Sequence, residues 1–153
     1  MKAEVTATVS TRNRYHTTLP LCLVAIASQI IKPSELIIFD DNEPSKRIDL
    51  REDPIYQNIF MMFNAVGIEF SVQYGLAEGQ VKNHQTALSI ARYNYIWRLD
   101  DDNIPESNVL ASLIEVMSLE SKVAAVGGLV LDPKSNLTEN ILASNKIEDV
   151  LTL

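Results

Sequence analysis

The chain has 153 residues, 46% of them apolar and 22% charged, and thirteen Lys and Arg against twenty Asp and Glu leave a formal charge of −7. That balance suits one globular domain burying roughly 70% of its unfolded surface, and it excludes a disordered chain. Five Gly and one Cys exclude collagen and disulfide scaffolds, the acidic balance disfavours sequence-independent duplex DNA binding, and no apolar run reaches the ~18 residues of a membrane span.

The opening Met1-Lys2-Ala3-Glu4 lacks the apolar stretch of a secretory signal, so a cytoplasmic location is expected, with membrane association only through other regions or partners. Glu4 to Ser10 is rich in β-branched residues and predicts the first strand. The polar Thr11–His16 stretch follows. Leu19, Leu23, Ile26, Ala27 and Ile30 then recur at helical spacing, predicting a helix over 17–31, with Pro20 in its first turn and Lys32-Pro33 ending it. Cys22 lies inside that pattern and reads as a small buried hydrophobe.

Leu36-Ile37-Ile38-Phe39 is a continuous apolar run, as in a strand covered on both faces, and stops at Asp40-Asp41-Asn42. A polar loop leads to Asp53-Pro54, a cap and first turn for a helix to about Ala65, which Gly67 ends. Ile68–Val72 alternates as a third strand. Gly75 and Gly79 bracket a loop. A helix over 80–92 is expected to bury Val81, His84, Ala87, Leu88 and Ala91. Tyr95–Leu99 is a fourth strand, Pro105 opens a helix carrying Val109, Leu110, Leu113, Ile114 and Met117, and Val123–Leu131 is a fifth strand. Alternating strands and helices predict an α/β domain, a mostly parallel sheet covered on both faces. In such sheets ligands bind beyond the carboxyl ends of the strands.

Acidic clusters fall at those ends. Asp100-Asp101-Asp102 follows the fourth strand, and three adjacent carboxylates repel one another unless a cation relieves them. Mg²⁺ or Mn²⁺ takes one or two carboxylates plus phosphate oxygens; the alternative is that the acids cap the following helix. Asp40 and Asp41 can accept from a base N–H or a ribose hydroxyl, or serve as turn formers. Ser10-Thr11-Arg12-Asn13-Arg14 offers hydroxyls and an amide to a base and guanidinium groups to stack or bind phosphate, although either Arg can equally be solvated. Gly79-Gln80-Val81-Lys82-Asn83-His84-Gln85 opens a helix where backbone N–H groups favour an anion and Lys82 can add charge. His84 reads as a packed side chain rather than a ligand. Zinc-site spacing, the phosphate loop of nucleoside triphosphatases and the Gly-x-Gly-x-x-Gly fingerprint are all missing.

Together, Val9–Arg14, Leu36–Asn42 and Tyr95–Asp102 resemble, in order and spacing, the nucleotide-binding half of family 2 glycosyltransferases with the GT-A fold, from about Val5 to Leu131. The resemblance implies a Rossmann-like three-layer domain over 1–153, incomplete at its C-terminus. It also implies inverting sugar transfer from a nucleotide-diphosphate donor, commonly a UDP-sugar, to a hydroxyl of a glycan, a lipid-linked or another acceptor, as in polysaccharide biosynthesis. Ser10, Thr11 and Arg12 would then lie along the nucleoside, Asp41 would bond the base with Asp40 beside it, and Lys82 would stand near the nucleotide. Asp100 and Asp102 match the ends of the family's Asp-x-Asp motif and would hold Mn²⁺ or Mg²⁺, Asp101 filling the middle place. The catalytic base and acceptor half are expected C-terminal to this chain; Glu139, Glu148 and Asp149 are available acids without an assigned role. The rival reading is a module that binds the nucleotide sugar, or another partner, without catalysis. A receiver-like or metal-dependent phosphatase domain is disfavoured, because Ser10-Thr11-Arg12 stands where those folds place an acid.

Overall fold

The computed structural model describes residues 1–75, 77–119 and 122–131. Glu139, Glu148 and Asp149 lie outside the described residues. Four strands, β1 (Lys2–Thr11), β2 (Lys32–Asp40), β3 (Glu69–Tyr74) and β4 (Tyr95–Asp100), alternate with four α-helices, α1 (Leu19–Ala27), α2 (Pro54–Val66), α3 (Gln80–Ile90) and α4 (Val109–Leu119). The strands form one sheet in the order β3-β2-β1-β4, parallel throughout. The domain is therefore α/β and Rossmann-like. Among the described residues no helix is long and apolar enough to cross a membrane.

Side-chain alternation assigns the two faces. Val5, Ala7 and Val9 of β1, Leu36 and Ile38 of β2, and Trp97 and Leu99 of β4 point into the main core with α1, α2 and Leu110 of α4. Ile37 and Phe39 point the other way, against Ala87 of α3. Right-handed crossovers require this split: α1 and α2 connect strands stepping one way along the sheet, and α3 returns across it to the far side of β1. The main core is reinforced where Phe60 of α2 stacks on Phe70 of β3, ring centroids 4.4 Å apart.

The sequence pattern places these elements well and misses some ends. α1 stops at Ala27, with Ser28 as its C-cap, and β2 already begins at Lys32, so Lys32-Pro33 opens a strand. α4 starts at Val109 rather than at Pro105 because the preceding segment is strapped to the end of α1. Gln29 is fully buried there; its Nε2 donates to the Glu106 carbonyl (2.7 Å) and its Oε1 accepts from the Leu110 N–H (3.0 Å), capping a first-turn donor of α4. On α3 the buried residues are Asn83 and Ala87, whereas Val81 and Leu88 are 72% and 74% exposed. The expected fifth strand is corrected: Val123–Leu131 carries no strand. Its Ala124–Gly128 part lines an apolar groove of about 660 Å³ beside β4. His84 is half-buried on the wall of that groove, where burial and then Arg98 lower its pKa.

Asp53 caps α2 as expected. Its Oδ1 accepts from the Ile55 N–H (2.9 Å) and its Oδ2 pairs with His16 Nε2 (2.7 Å). The His16 bond, foremost, holds the Asp53 carboxyl below its ordinary pKa. Asp53→Ala is therefore expected to cost about 1 kcal/mol at neutral pH, the usual worth of an N-cap. A depressed carboxylate stabilises the fold above its unfolded pKa, and that contribution is lost as pH falls through the lower folded value. The gap between wild type and variant should accordingly close in acid, as urea unfolding at pH 7 and pH 3 would read.

Candidate functional site

The strand order turns at β1: β2 and β3 lie on one side and β4 on the other. Such a switch point opens a crevice at the carboxyl ends of the strands flanking it. Register brings the chemistry there. Ser10 of β1 pairs with Asp100 of β4, and Thr11 of β1 pairs with Asp40 of β2. The residues just beyond these pairs, with the start of α3, surround a polar cavity of about 370 Å³. β1 contributes Ser10 and Thr11, with Arg12 and Arg14 just after it; β2 contributes Asp41; β4 contributes Asp100, Asp101 and Asp102; and α3 contributes Gln80 and Asn83 with Gly79 before it.

The three acids after β4 have different surroundings. Asp100 and Asp102 are exposed, and Asp101 is buried. Asp100 Oδ1 accepts from the Gln80 amide. Asp102 Oδ2 accepts from Arg14 Nη1, which also lies 3.4 Å from Asp101 Oδ1. Arg14 is itself raised in pKa, first by that bond to Asp102 and then by Asp101. Burial raises the Asp101 carboxyl, against the nearby Thr11 hydroxyl, Arg14 and the Arg12 backbone amide; the Thr11 hydroxyl is the polar neighbour of its buried side, although neither Thr11 Oγ1 nor Asp101 Oδ2 makes a close hydrogen bond. Arg14 thus offsets part of the charge of the three adjacent carboxylates, through Asp101 and Asp102.

Asp41 is 4% exposed. Its Oδ2 accepts from the Gly79 N–H at 3.1 Å, while its Oδ1 is left unpaired. Gly79 meets it with a φ of +93°, a conformation that favours glycine. Gly75 is required by close approach: a Cβ there would stand 2.7 Å from Asp41 Oδ1 and 3.0 Å from Asn83 Oδ1.

Two expected nucleotide residues are placed elsewhere. Asp40 is fully buried and does not line the cavity. Its Oδ2 accepts from the Tyr15 hydroxyl (2.5 Å) and its Oδ1 from both the backbone and the side-chain amide of Asn42 (3.0 and 2.8 Å). Asn42 Oδ1 in turn accepts from the Asn13 N–H at 2.7 Å, and the Tyr56 hydroxyl donates to the Tyr15 carbonyl at 2.5 Å. Asp40 therefore holds the loops after β1 and β2 in place. Burial, and then Asp40, push the Tyr15 hydroxyl up in pKa, so it stays a donor. Lys82 is exposed and outside the cavity lining, because the inward position on that turn of α3 belongs to Asn83.

Sequence reasoning gave Asn83 no role of its own within the helix-start motif and passed over Arg47. Asn83 is 3% exposed with its Nδ2 unpaired, a polar residue one position from the lysine that drew attention. Arg47 ties the loops after β2 and β3 together, donating to the Asn42 carbonyl (2.9 Å) and the Gly75 carbonyl while its guanidinium lies 5.3 Å from the Tyr74 ring centroid. Cys22 meets its expected role. It is buried beneath the Asp100 carbonyl, and burial and then the nearby acids push its thiol up to about 12.

The class thus defined is a parallel α/β domain with an acid-rimmed polar cavity at its topological switch point. No protein-family model matches the sequence, and no curated protein matches it significantly.

Proposed function

We propose that this chain is the donor-binding part of an inverting, divalent-metal-dependent glycosyltransferase that moves a sugar from a UDP-sugar to an acceptor hydroxyl. One observation carries the reading: the ends of β1, β2 and β4 converge on one cavity lined by Asp41, Asp100, Asp101 and Asp102 together with Arg12 and Arg14. Asp41 accepts a base N–H, and Ser10, Thr11 and Arg12 line the nucleoside. Among the described residues no group of three metal-ligating side chains converges. The exposed pair Asp100 and Asp102 suits a cation that takes one or two protein carboxylates and completes its shell with phosphate oxygens. When bound there, Mn²⁺ or Mg²⁺ supplies Lewis-acid stabilisation of the leaving diphosphate. Cation binding there would need Asp102 to exchange Arg14 for the metal, which would leave the exposed Arg14 guanidinium free to bind phosphate. No base for the acceptor hydroxyl is assigned among the described residues.

A thermal-shift screen of nucleotides with and without Mn²⁺ tests this. Ligand at 100 times its Kd stabilises by about 2.7 kcal/mol, which raises Tm by about 5–10 °C for a chain of this size. UDP and UDP-sugars with Mn²⁺ should give that rise, and UDP in EDTA a smaller one. The same Tm with and without nucleotide in Mn²⁺ would refute the reading.

A further inference from the structure

We infer that the outer edge of β4 is a docking site for an extended segment of a partner protein, which pairs with the strand through its backbone, packs apolar side chains toward α4 and sets a carboxylate against Arg98. The sheet ends at β3 on one side and β4 on the other. β1 and β2 are hydrogen-bonded on both sides, so only the two outer strands leave a row of backbone N–H and C=O groups unpaired by the sheet. β3 blunts its edge with Glu69, Ser71 and Gln73, and Arg92 holds Glu69. β4 lacks such protection. Among the described residues no backbone hydrogen bond joins it to 123–131, although part of that stretch runs beside it.

The groove of about 660 Å³ follows this edge. Adjacent residues of a strand face opposite ways, so an added strand meets two different walls. On the side of the main core stand Tyr95 and Trp97 with Leu113, Ile114 and Met117 of α4, all aromatic or apolar. On the other side stand Ile96 and Arg98 with His84 and Leu88 of α3. Leu88 and Tyr95 are 74% and 56% exposed, apolar surface that a neighbour would cover. Arg98 is exposed and makes no ion pair among the described residues. His84 lies near it on the same wall, its pKa lowered by burial and then by Arg98. In a chain of net charge −7, an unpaired cation on an apolar groove selects an anion. The complement follows from these walls. A backbone in extended form satisfies the edge, alternate apolar side chains meet α4, and one acidic side chain stands opposite Arg98. Asp100 lies two residues along on the same side, so a second acid there is repelled. A lipid tail would fill the apolar walls but leave the backbone edge unpaired, which favours a polypeptide.

The full chain carries a single tryptophan, and Trp97 stands on this groove, so its emission reports occupancy. The probes are seven-residue peptides of valine and threonine, capped at both ends, with glutamate or lysine at the centre. The glutamate peptide should bind saturably and about 10-fold more tightly than the lysine peptide, the difference between an opposite and a like charge across a strand pair. Arg98→Glu alters an exposed side chain, should fold as wild type does, and should reverse that preference. Prolines on either side of the glutamate remove N–H groups from the ladder and should abolish binding. Equal binding of the two charged peptides, undiminished binding of the proline peptide, or no saturable change with any peptide would each overturn the inference. So would an unreversed preference in a folded Arg98→Glu. A Trp97 response to dodecyl phosphate but to no peptide would assign the groove to a lipid instead, and sedimentation as a dimer whose Trp97 no peptide affects would assign it to a second copy. If Arg98→Glu fails to fold, the three peptides on wild type decide the matter.

Discussion

Asp102→Ala is expected to abolish the Mn²⁺-dependent part of UDP binding, a loss on the order of 10- to 100-fold for one charge-assisted contact, while the protein stays folded. Asp102 is exposed and its partner Arg14 is 41% exposed, so solvent screens the ion pair between them and it contributes little to folding. Stability and binding separate cleanly at this residue for that reason. Titrations of the variant with UDP in Mn²⁺ and in EDTA should give the same affinity, and its urea midpoint should match that of wild type. A retained Mn²⁺ effect in the folded variant would remove Asp102 from the cation site. The result would then favour Asp100, whose side chain faces the same cavity.

Gly75→Ala is expected to have an equally large effect on nucleotide binding by a different physical route. Gly75 does not have a positive φ, so the substitution does not strain the backbone. The added methyl instead meets Asp41 Oδ1 at 2.7 Å and Asn83 Oδ1 at 3.0 Å and must push both side chains aside. Asp41 then loses its bond to the Gly79 N–H, and overpacking of this kind costs about 1–3 kcal/mol of stability. UDP affinity should fall on the order of 10- to 100-fold in both Mn²⁺ and EDTA, because the displaced Asp41 carboxylate loses its charge-assisted bond to the base. Unlike Asp102→Ala, the variant should keep the ratio between the two conditions. Titration in both buffers, with urea unfolding alongside, distinguishes them.

The sequence made the layers legible because their signals are local. β-branched and apolar runs marked β1, β2 and β4, and Asp53-Pro54 and Gly67 marked both ends of α2. What it hid depends on packing between distant segments. The late start of α4 is set by Gln29, 81 residues from the Leu110 N–H that it caps. The inward face of α3 is set by the small contact of Ala87 with Ile37 and Phe39, so its larger apolar residues are left outside. At the site, Asp41 and Asp100 to Asp102 could be found from their positions at strand ends. Asp40 and Asp41 could not be told apart, since the last residue of a strand and the one after it face different ways and only the Tyr15 hydroxyl reveals which one is structural. Asn83 was hidden for the same reason one position from Lys82: nothing in a single sequence says which residue of a helix turn faces a cavity.

The central claim is that the carboxyl ends of β1, β2 and β4 form one site for a nucleoside diphosphate with a divalent cation. Calorimetric titration of the folded chain with UDP, once in Mn²⁺ and once in EDTA, tests it most directly. A shared site predicts saturable binding of one UDP per chain, about 10-fold or more tighter with Mn²⁺. Saturable binding of equal strength in the two buffers, or no heat in either from a chain that unfolds cooperatively, would contradict it.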